Sequence, residues 1–367
     1  MIVNPDVLIV GGGVVGAACA RALARAGRSV RLLERGEGTG AAWQAAAGLL
    51  APQIEAREDD PLFDLGLAGR GFYEDHAAEL EAATGINLGL RQGGILQLAH
   101  SEAAGEDLRG KVAWQRQQGH VCDWLDATEV RERWPWIGAC EGALWAPRDG
   151  SLHPERLVQA LRRDAERLGV TIQRDEITGL LRDRDRVVGV EGRDRHHAGA
   201  VVLAAGAWSG RLARLPRPVS VEPVRGQMVA LPWPPGAEPG IVFGHGGYLL
   251  EREGEAIGGS TLEHAGFDPV TTPEGVARIR DRVAALCPGL AGQEPTRTWA
   301  GLRPGTPDGL PIIGAEPNAE GLWYATGHGR GGILLAGITG VILERLMAGE
   351  VLVEEAHPVR PERFWSE

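Results

Sequence analysis

An α/β fold with one mostly parallel sheet and one mainly antiparallel sheet is predicted by three features of the sequence. The chain opens with a short continuous apolar run, a glycine triplet and an Ala- and Leu-rich helical stretch, the order of a βαβ unit. Two further continuous apolar runs, at 200–205 and 322–325, each stop at glycine. Between them, residues 224–231, 247–251 and 255–258 alternate in the manner of antiparallel strands.

The elements follow in order. Residues 7–10 read as a strand buried on both faces, because no polar residue interrupts the run. Residues 14–26 form a helix that Gly27 ends, and 29–33 form a second strand closing on Glu34. The Ala- and Gly-rich stretch 43–52 begins a helix or an irregular crossing. A long helix is expected over 61–84, and short strands with a helix near 127–133 over 88–145. Pro154 suits the first turn of a helix over 153–168. Strands are expected at 170–173 and 187–190, helices at 274–286 and 333–347, and the tail after Gly349 is expected to be peripheral.

This order implies a discontinuous layout in 367 residues, enough for two substantial domains. Residues 1–85, 146–215 and 300–367 would form a dinucleotide-binding domain with the parallel sheet. Residues 86–145 and 216–299 would form a substrate domain.

Composition excludes several classes. A net charge of −11 and the lack of a dense basic run argue against nucleic-acid or anionic-membrane binding. The nearest runs, 182–186 and 193–197, are interrupted by Asp and read as solvated turns. The four cysteines form no CxxC pair, so no metal site is expected, and their scatter suits reduced thiols in a cytoplasmic protein. No basic leader precedes the first apolar run. The longest apolar stretch, 331–343, is shorter than the ~20 residues a membrane helix needs and reads as a buried helix.

The strongest motif is Gly11-x-Gly13-x-x-Gly16 between a strand and a helix, with Glu34 ending the next strand. Gly11 permits a tight turn, Gly13 lets the backbone approach a pyrophosphate, and Gly16 allows close helix–strand packing. The helix N-terminus offers free N–H groups to phosphate. Glu34 can accept both hydroxyls of an adenosine ribose and would repel a 2′-phosphate. In this context a Rossmann-type dinucleotide site is the reading, but the motif does not choose between FAD and NAD.

Three later features favour FAD. The strand at 201–204 ends in a small-residue turn at Ala205-Gly206, where a second part of an extended cofactor could pass; alone, this is an ordinary strand–turn corner. Gly327-His328-Gly329-Arg330-Gly331-Gly332 marks a second strand-to-helix junction, and its helix N-terminus could face the N1/C2 region of a flavin. The stretch 300–309, AGLRPGTPDG, reads as a turn-rich loop with a single arginine, Arg303.

With these residues in hand, the sequence resembles the D-amino-acid oxidase superfamily, and within it most closely the glycine oxidase family of thiamine biosynthesis. The resemblance covers nearly the whole chain. It rests on GGGVVG at 11–16 with Glu34, AAAGLLAP at 45–52, GGIL at 93–96 and AGAWS at 205–209. It continues through PVRGQ at 223–227, GGST at 258–261, AGLRPGTPDG at 300–309 and the segment 327–336. AAAGLLAP and AGLRPGTPDG are the specific stretches. The resemblance implies a D-amino-acid-oxidase-like fold with FAD bound along Val14, Val15, Glu34, Arg35, Ala47, Gly48, Leu49, Ile177 and the loop His328, Gly329, Arg330, Gly331, Gly332, Ile333 and Leu334. It implies that Arg303 holds the substrate carboxylate, with Tyr248 beside it and Arg330 near the substrate. A guanidinium fork suits a carboxylate, although most arginines make surface ion pairs and a strand tyrosine is often only half-buried packing.

The chain departs from the family in several places. Ala42 and Trp43 stand where hydroxyl side chains usually precede the AAAG segment, so phosphate contacts there must come from backbone. Gly329 and Gly331 replace a larger and a polar residue, and Gly337 replaces a proline. No cysteine lies in 303–308, so non-covalent FAD is expected.

The implied chemistry is oxidative deamination of glycine or another small amine, such as sarcosine or a D-amino acid. Hydride would pass to flavin N5, O2 would accept the electrons to give H2O2, and a link to thiazole formation follows from the resemblance. A quinone-linked dehydrogenase on the same fold, a non-catalytic flavoprotein subunit and an NAD-dependent dehydrogenase stay open as alternatives. Related enzymes assemble as homo-oligomers, so one is expected here.

Overall fold

The first strand, Val7–Val10, carries four buried residues in succession because both faces of its sheet are covered. The computed structural model describes residues 4–36, 38, 40–58, 60–350 and 358–364. In it, six strands form one sheet in the order Ile312–Ala315, Leu322–Thr326, Ala200–Leu203, Val7–Val10, Val30–Glu34, Thr171–Arg174. All neighbours are parallel except the edge pair Ile312–Ala315 with Leu322–Thr326. Val7 sits opposite both Val30 and Ala200.

Alternation along the first strand explains the two coverings. Val7 and Ile9 point into a cluster with Cys19 and Leu23 of the first helix, Val14–Arg25, with Ala165 of Pro154–Arg167 and with Leu343 of Gly332–Met347. Leu8 and Val10 point the other way, onto Leu180, Val187 and Val190. Those residues belong to a three-stranded antiparallel sheet built from Gly179–Asp183, Arg186–Glu191 and Arg195–His197.

The second large sheet has eight strands, ordered Arg297–Gly305, Glu222–Pro232, Glu255–Gly259, Gly247–Arg252, Ile241–Gly244, Ile95–Ala99, Gly142–Ala146, Asp123–Asp126. Only the pair Ile241–Gly244 with Ile95–Ala99 is parallel. Helix Pro273–Leu286 covers one face through Ile279, Val283 and Leu286. Leu49–Leu50 and Gly150–Ser151 pair as a separate two-stranded antiparallel ribbon. Arg252 secures it by donating through Nη2 to the carbonyls of Ala47 and Leu152.

Several expectations are corrected. Residues 300–305 are not a loop. They end the strand Arg297–Gly305, which pairs with Glu222–Pro232 over nine residues, so the expected boundary at 300 falls inside the antiparallel sheet. Glycine and proline disguise the strand. Gly301 is needed because Ala45 packs against it, where an added Cβ would meet the Ala45 Cβ at 2.6 Å. A sixteen-residue helix, Glu102–Gln117, occupies a region read as short strands and a helix near 127–133. Residues 195–197 are strand rather than solvated turn: His196 is buried, with Nε2 2.8 Å from Asp175 Oδ2. The tail is not wholly peripheral, since Val359 packs in a core with Leu65 and Ile313. Residues 351–357 and 365–367 of that tail lie outside the described residues. Among the described residues no helix is long and apolar enough to cross a membrane.

Candidate active site

The glycines of the first turn take the positions their spacing predicts. Gly11 has φ +104°, and a Cβ there would lie 2.4 Å from the Ala204 carbonyl oxygen. Gly16 is tighter still, with its would-be Cβ 1.9 Å from the Gly11 carbonyl oxygen. Gly16 therefore packs the helix onto the strand and does not line the cavity that opens beside it. Gly13, the residue before helix Val14–Arg25, has only the Trp43 ring within 4 Å of its would-be Cβ, and no side chain caps the helix. The helix thus presents its start to open space.

That space is a cavity of about 600 Å³ running between the two large sheets. Of the residues singled out from sequence, Gly11, Gly13, Val14, Val15, Glu34, Arg35, Ala42, Trp43, Ala47, Gly48, Leu49, Ile177, Ala205, Gly206 and the whole segment 328–334 line it. Tyr248 and Arg303 line it as well, so the candidate cofactor and substrate residues share one cavity. Glu34 is held by backbone: Oε2 accepts the Gly12 N–H at 2.6 Å and Oε1 the Gly36 N–H at 3.2 Å. Arg35 stacks over Trp208 at 3.8 Å.

The second junction has the same form as the first. Helix Gly332–Met347 starts without a side-chain cap, and its first residues, Gly332, Ile333 and Leu334, line the cavity. His328 behind this turn is buried, and its Nε2 lies 2.9 Å from Thr339 Oγ1. Burial drives its pKa down to about 3, so it stays neutral at physiological pH.

At the antiparallel sheet, Arg303 lies across Gly226 of the neighbouring strand. A Cβ on Gly226 would fall 2.2 Å from either terminal nitrogen of the guanidinium. Nη2 donates to Ser260 Oγ at 2.8 Å and Nη1 to the Thr261 carbonyl at 3.1 Å. No carboxylate among the described residues stands within ion-pair distance of Arg303. Burial pulls its pKa down, and Arg330 does so too, while Tyr248 acts in the opposite sense. Tyr248 is buried, and its hydroxyl donates to Met228 Sδ at 3.3 Å. Burial raises its pKa, against the pull of Arg303 and Arg330, so it is a phenol rather than a phenolate. Arg330 is exposed at the cavity and donates to Glu55 Oε1 at 2.6 Å.

A cavity with a helix start at two points, a carboxylate at the end of the second strand and an arginine lacking an acid partner among the described residues has the chemistry to hold a dinucleotide and a small anion. The family comparison decides which dinucleotide. A family model described as FAD dependent oxidoreductase matches residues 6–346. The chain belongs to that family.

Among FAD dependent oxidoreductases, its relatives include a glycine oxidase of Pseudomonas aeruginosa. That protein is 35% identical over 97% of this chain and 98% of its own length. A bifunctional ThiO/ThiG protein of Synechocystis is 35% identical over 99% of this chain and 55% of its own length. The crystal structure of glycine oxidase from Geobacillus kaustophilus superposes with a TM-score of 0.91, at 34% identity over 97% of this chain and 98% of that one. The residues fit the family's cofactor on structural grounds: a side chain at Gly13 would enter the cavity, and both helix starts are free to receive an anionic group.

Sequence reasoning missed several residues that line this cavity. Arg162, on helix Pro154–Arg167, reaches the first glycine turn and donates through Nε to the Gly12 carbonyl at 2.8 Å. It lines the cavity, as do Ser260, Trp208 and Glu55. Trp208 and Ser260 stand within stretches that carried the resemblance, so adjacency could have found them. Arg162 and Glu55 have no local signal.

Proposed function

We propose that this FAD-dependent enzyme oxidises glycine or another small amino acid or amine, with O2 as acceptor. The observation that carries the proposal is the fork of Arg303, without an acid partner among the described residues and facing the same cavity as the two uncapped helix starts. The substrate carboxylate would complete Arg303, two parallel charge-assisted hydrogen bonds replacing the water a half-buried guanidinium otherwise requires. Tyr248, kept protonated by burial, would turn its one O–H from Met228 Sδ to donate a third hydrogen bond. Ser260 Oγ and the Thr261 carbonyl hold the fork by accepting from its two terminal nitrogens. With the carboxylate fixed, the Cα–H is confined to one orientation, and positioning of this kind supplies much of the rate. Bound FAD supplies the two-electron acceptor. The substrate must shed its ammonium proton, and no residue of the cavity is assigned as base. The overall reaction balances as glycine + O2 + H2O giving glyoxylate, ammonia and H2O2.

Gly11, Gly13, Val14, Val15 and Arg162 would serve the cofactor's phosphates, Glu34 and Arg35 its adenosine, and residues 328–334 its flavin. On this reading the parallel-sheet segments form the FAD-binding domain and the antiparallel sheet the substrate domain. The names of the relatives, glycine oxidase and ThiO/ThiG, support glycine as substrate and a role in thiamine biosynthesis. The test is the absorbance spectrum of the purified protein before and after glycine is added without oxygen. Flavin bands that bleach, and return in air with H2O2, are the expected result. Bands that persist with glycine, sarcosine and D-amino acids alike overturn the proposal, and reoxidation that needs a quinone replaces O2 as the acceptor.

A further inference from the structure

Arg330 lines the cavity with Arg303 and Tyr248, yet its charge is already matched by Glu55 at 2.6 Å. Glu55 is the last residue of a four-residue helix, Pro52–Glu55, too short to be stable alone. Buried groups fasten that helix at both ends. Asp149 Oδ2 accepts the N–H groups of Gln53 and Ile54, each at 3.0 Å, as a carboxylate placed at a helix start should. Its other oxygen takes Arg70 Nη1 at 2.6 Å. At the far end, Lys111 Nζ donates to the Ile54 carbonyl at 2.5 Å. Gln53 extends the network, accepting from Arg70 at 2.8 Å and donating to Gln115 Oε1 at 3.0 Å. Asp149 and Gln115 are fully buried. A buried network of charges is a costly foundation; it holds a turn whose first three residues are buried and whose last, Glu55, is exposed, and that turn aims one carboxylate at one arginine of the cavity.

We propose that Glu55 is a specificity determinant: by occupying Arg330 it leaves Arg303 as the one of these two arginines without a carboxylate partner among the described residues, and so restricts the pocket to substrates with a single carboxylate. The inference rests on Arg303 as carboxylate clamp. The attraction of Glu55 is the largest influence on Arg330, while Arg330 in turn disfavours the charge on Arg303. Two guanidinium groups in one cavity would match an amino dicarboxylate. Glu55 cancels the second and repels the second carboxylate of such a ligand. Asp149, Arg70 and Lys111 act as positioning residues for it.

The experiment measures dissociation constants of acetate and malonate for the FAD-loaded protein from shifts of the flavin spectrum. In Glu55→Gln the preference for malonate over acetate should rise about tenfold or more, the scale of one charge-assisted hydrogen bond. The double variant Glu55→Gln/Arg330→Gln should lose that gain. Arg330→Gln alone, which leaves Glu55 unpaired at the cavity, should lower the malonate preference below that of the parent. A preference unchanged within twofold in Glu55→Gln, or a gain that survives in the double variant, overturns the inference. Acetate binding that is insensitive to Arg303→Gln would instead overturn the carboxylate clamp itself. The backbone contacts of Asp149 and Lys111 do not involve the Glu55 side chain, so Glu55→Gln keeps its helix. The Arg330→Gln measurement decides the matter should that variant lose FAD.

Discussion

Replacing Arg303 by glutamine removes the fork while keeping one amide donor at the same strand position. A bidentate guanidinium–carboxylate pair comprises two charge-assisted hydrogen bonds, each about 1.5–3 kcal/mol net, and a neutral amide recovers about 1 kcal/mol. The loss of roughly 2–5 kcal/mol corresponds to a kcat/KM for glycine lower by roughly thirty-fold to several thousand-fold. The same replacement removes a half-buried cation that has no acid partner within ion-pair distance among the described residues, and whose pKa burial depresses. The ligand-free variant should therefore melt no lower than the parent, a separation of stability from activity expected of a binding residue. Steady-state kinetics with H2O2 detection, acetate titration of the flavin spectrum and thermal melts of the ligand-free protein together test this. A kcat/KM and an acetate affinity both within threefold of the parent would refute the reasoning, whatever the melting temperature.

Gly226→Ala should displace the same fork, because its Cβ would lie 2.2 Å from the Arg303 nitrogens; we expect a raised KM for glycine with FAD content unchanged, and an unaltered KM would show that the fork tolerates the shift. Gly16→Ala places a Cβ 1.9 Å from the Gly11 carbonyl oxygen, a clash with backbone that should cost about 1–3 kcal/mol or more, and purified variant that retains stoichiometric FAD and the parental melting temperature would contradict it. His328 has a folded-state pKa of about 3 against an ordinary 6.5, so the unfolded chain takes up its proton first. Its contribution is complete above about pH 6.5 and is lost as pH falls toward 3, by about 1.4 kcal/mol per pH unit. His328→Asn should flatten the denaturant-measured stability slope between pH 6 and pH 4 by one proton, and equal slopes would refute this.

What the sequence discloses here follows the range of the interactions. The first βαβ unit, its three glycines and Glu34 are legible because the strand pairing of that unit and the Glu34–Gly12 hydrogen bond are set within thirty-odd residues. The helix Glu102–Gln117 was missed although its signals are local. Ser101 caps it by accepting from the Ala104 N–H, and Leu108, Val112 and Gln115 recur on one buried face, but the abundant charges of its other face hide the period. Residues 300–305, the last part of strand Arg297–Gly305, read as a loop because their glycines and proline are turn residues in isolation; the partner strand, Glu222–Pro232, supplies the ladder from some seventy residues away. Arg303, Tyr248 and Arg330 entered through resemblance rather than residue pattern. Glu55 with Arg330 and Arg162 with Gly12 are pairs that only the folded chain brings together.

The central strand Val7–Val10 lies between Val30–Glu34, which follows it at once, and Ala200–Leu203, which the ribosome delivers almost two hundred residues later. At about 5–20 residues per second, the emerging chain waits roughly 10–40 s with that edge of its sheet unpaired. The cavity closes later still, when the segment ending at Leu334 has left the exit tunnel. Cofactor capture in this topology therefore follows synthesis of the segment through Leu334, and in a cell short of riboflavin the turns that line the cavity should stay poorly braced and open to proteases.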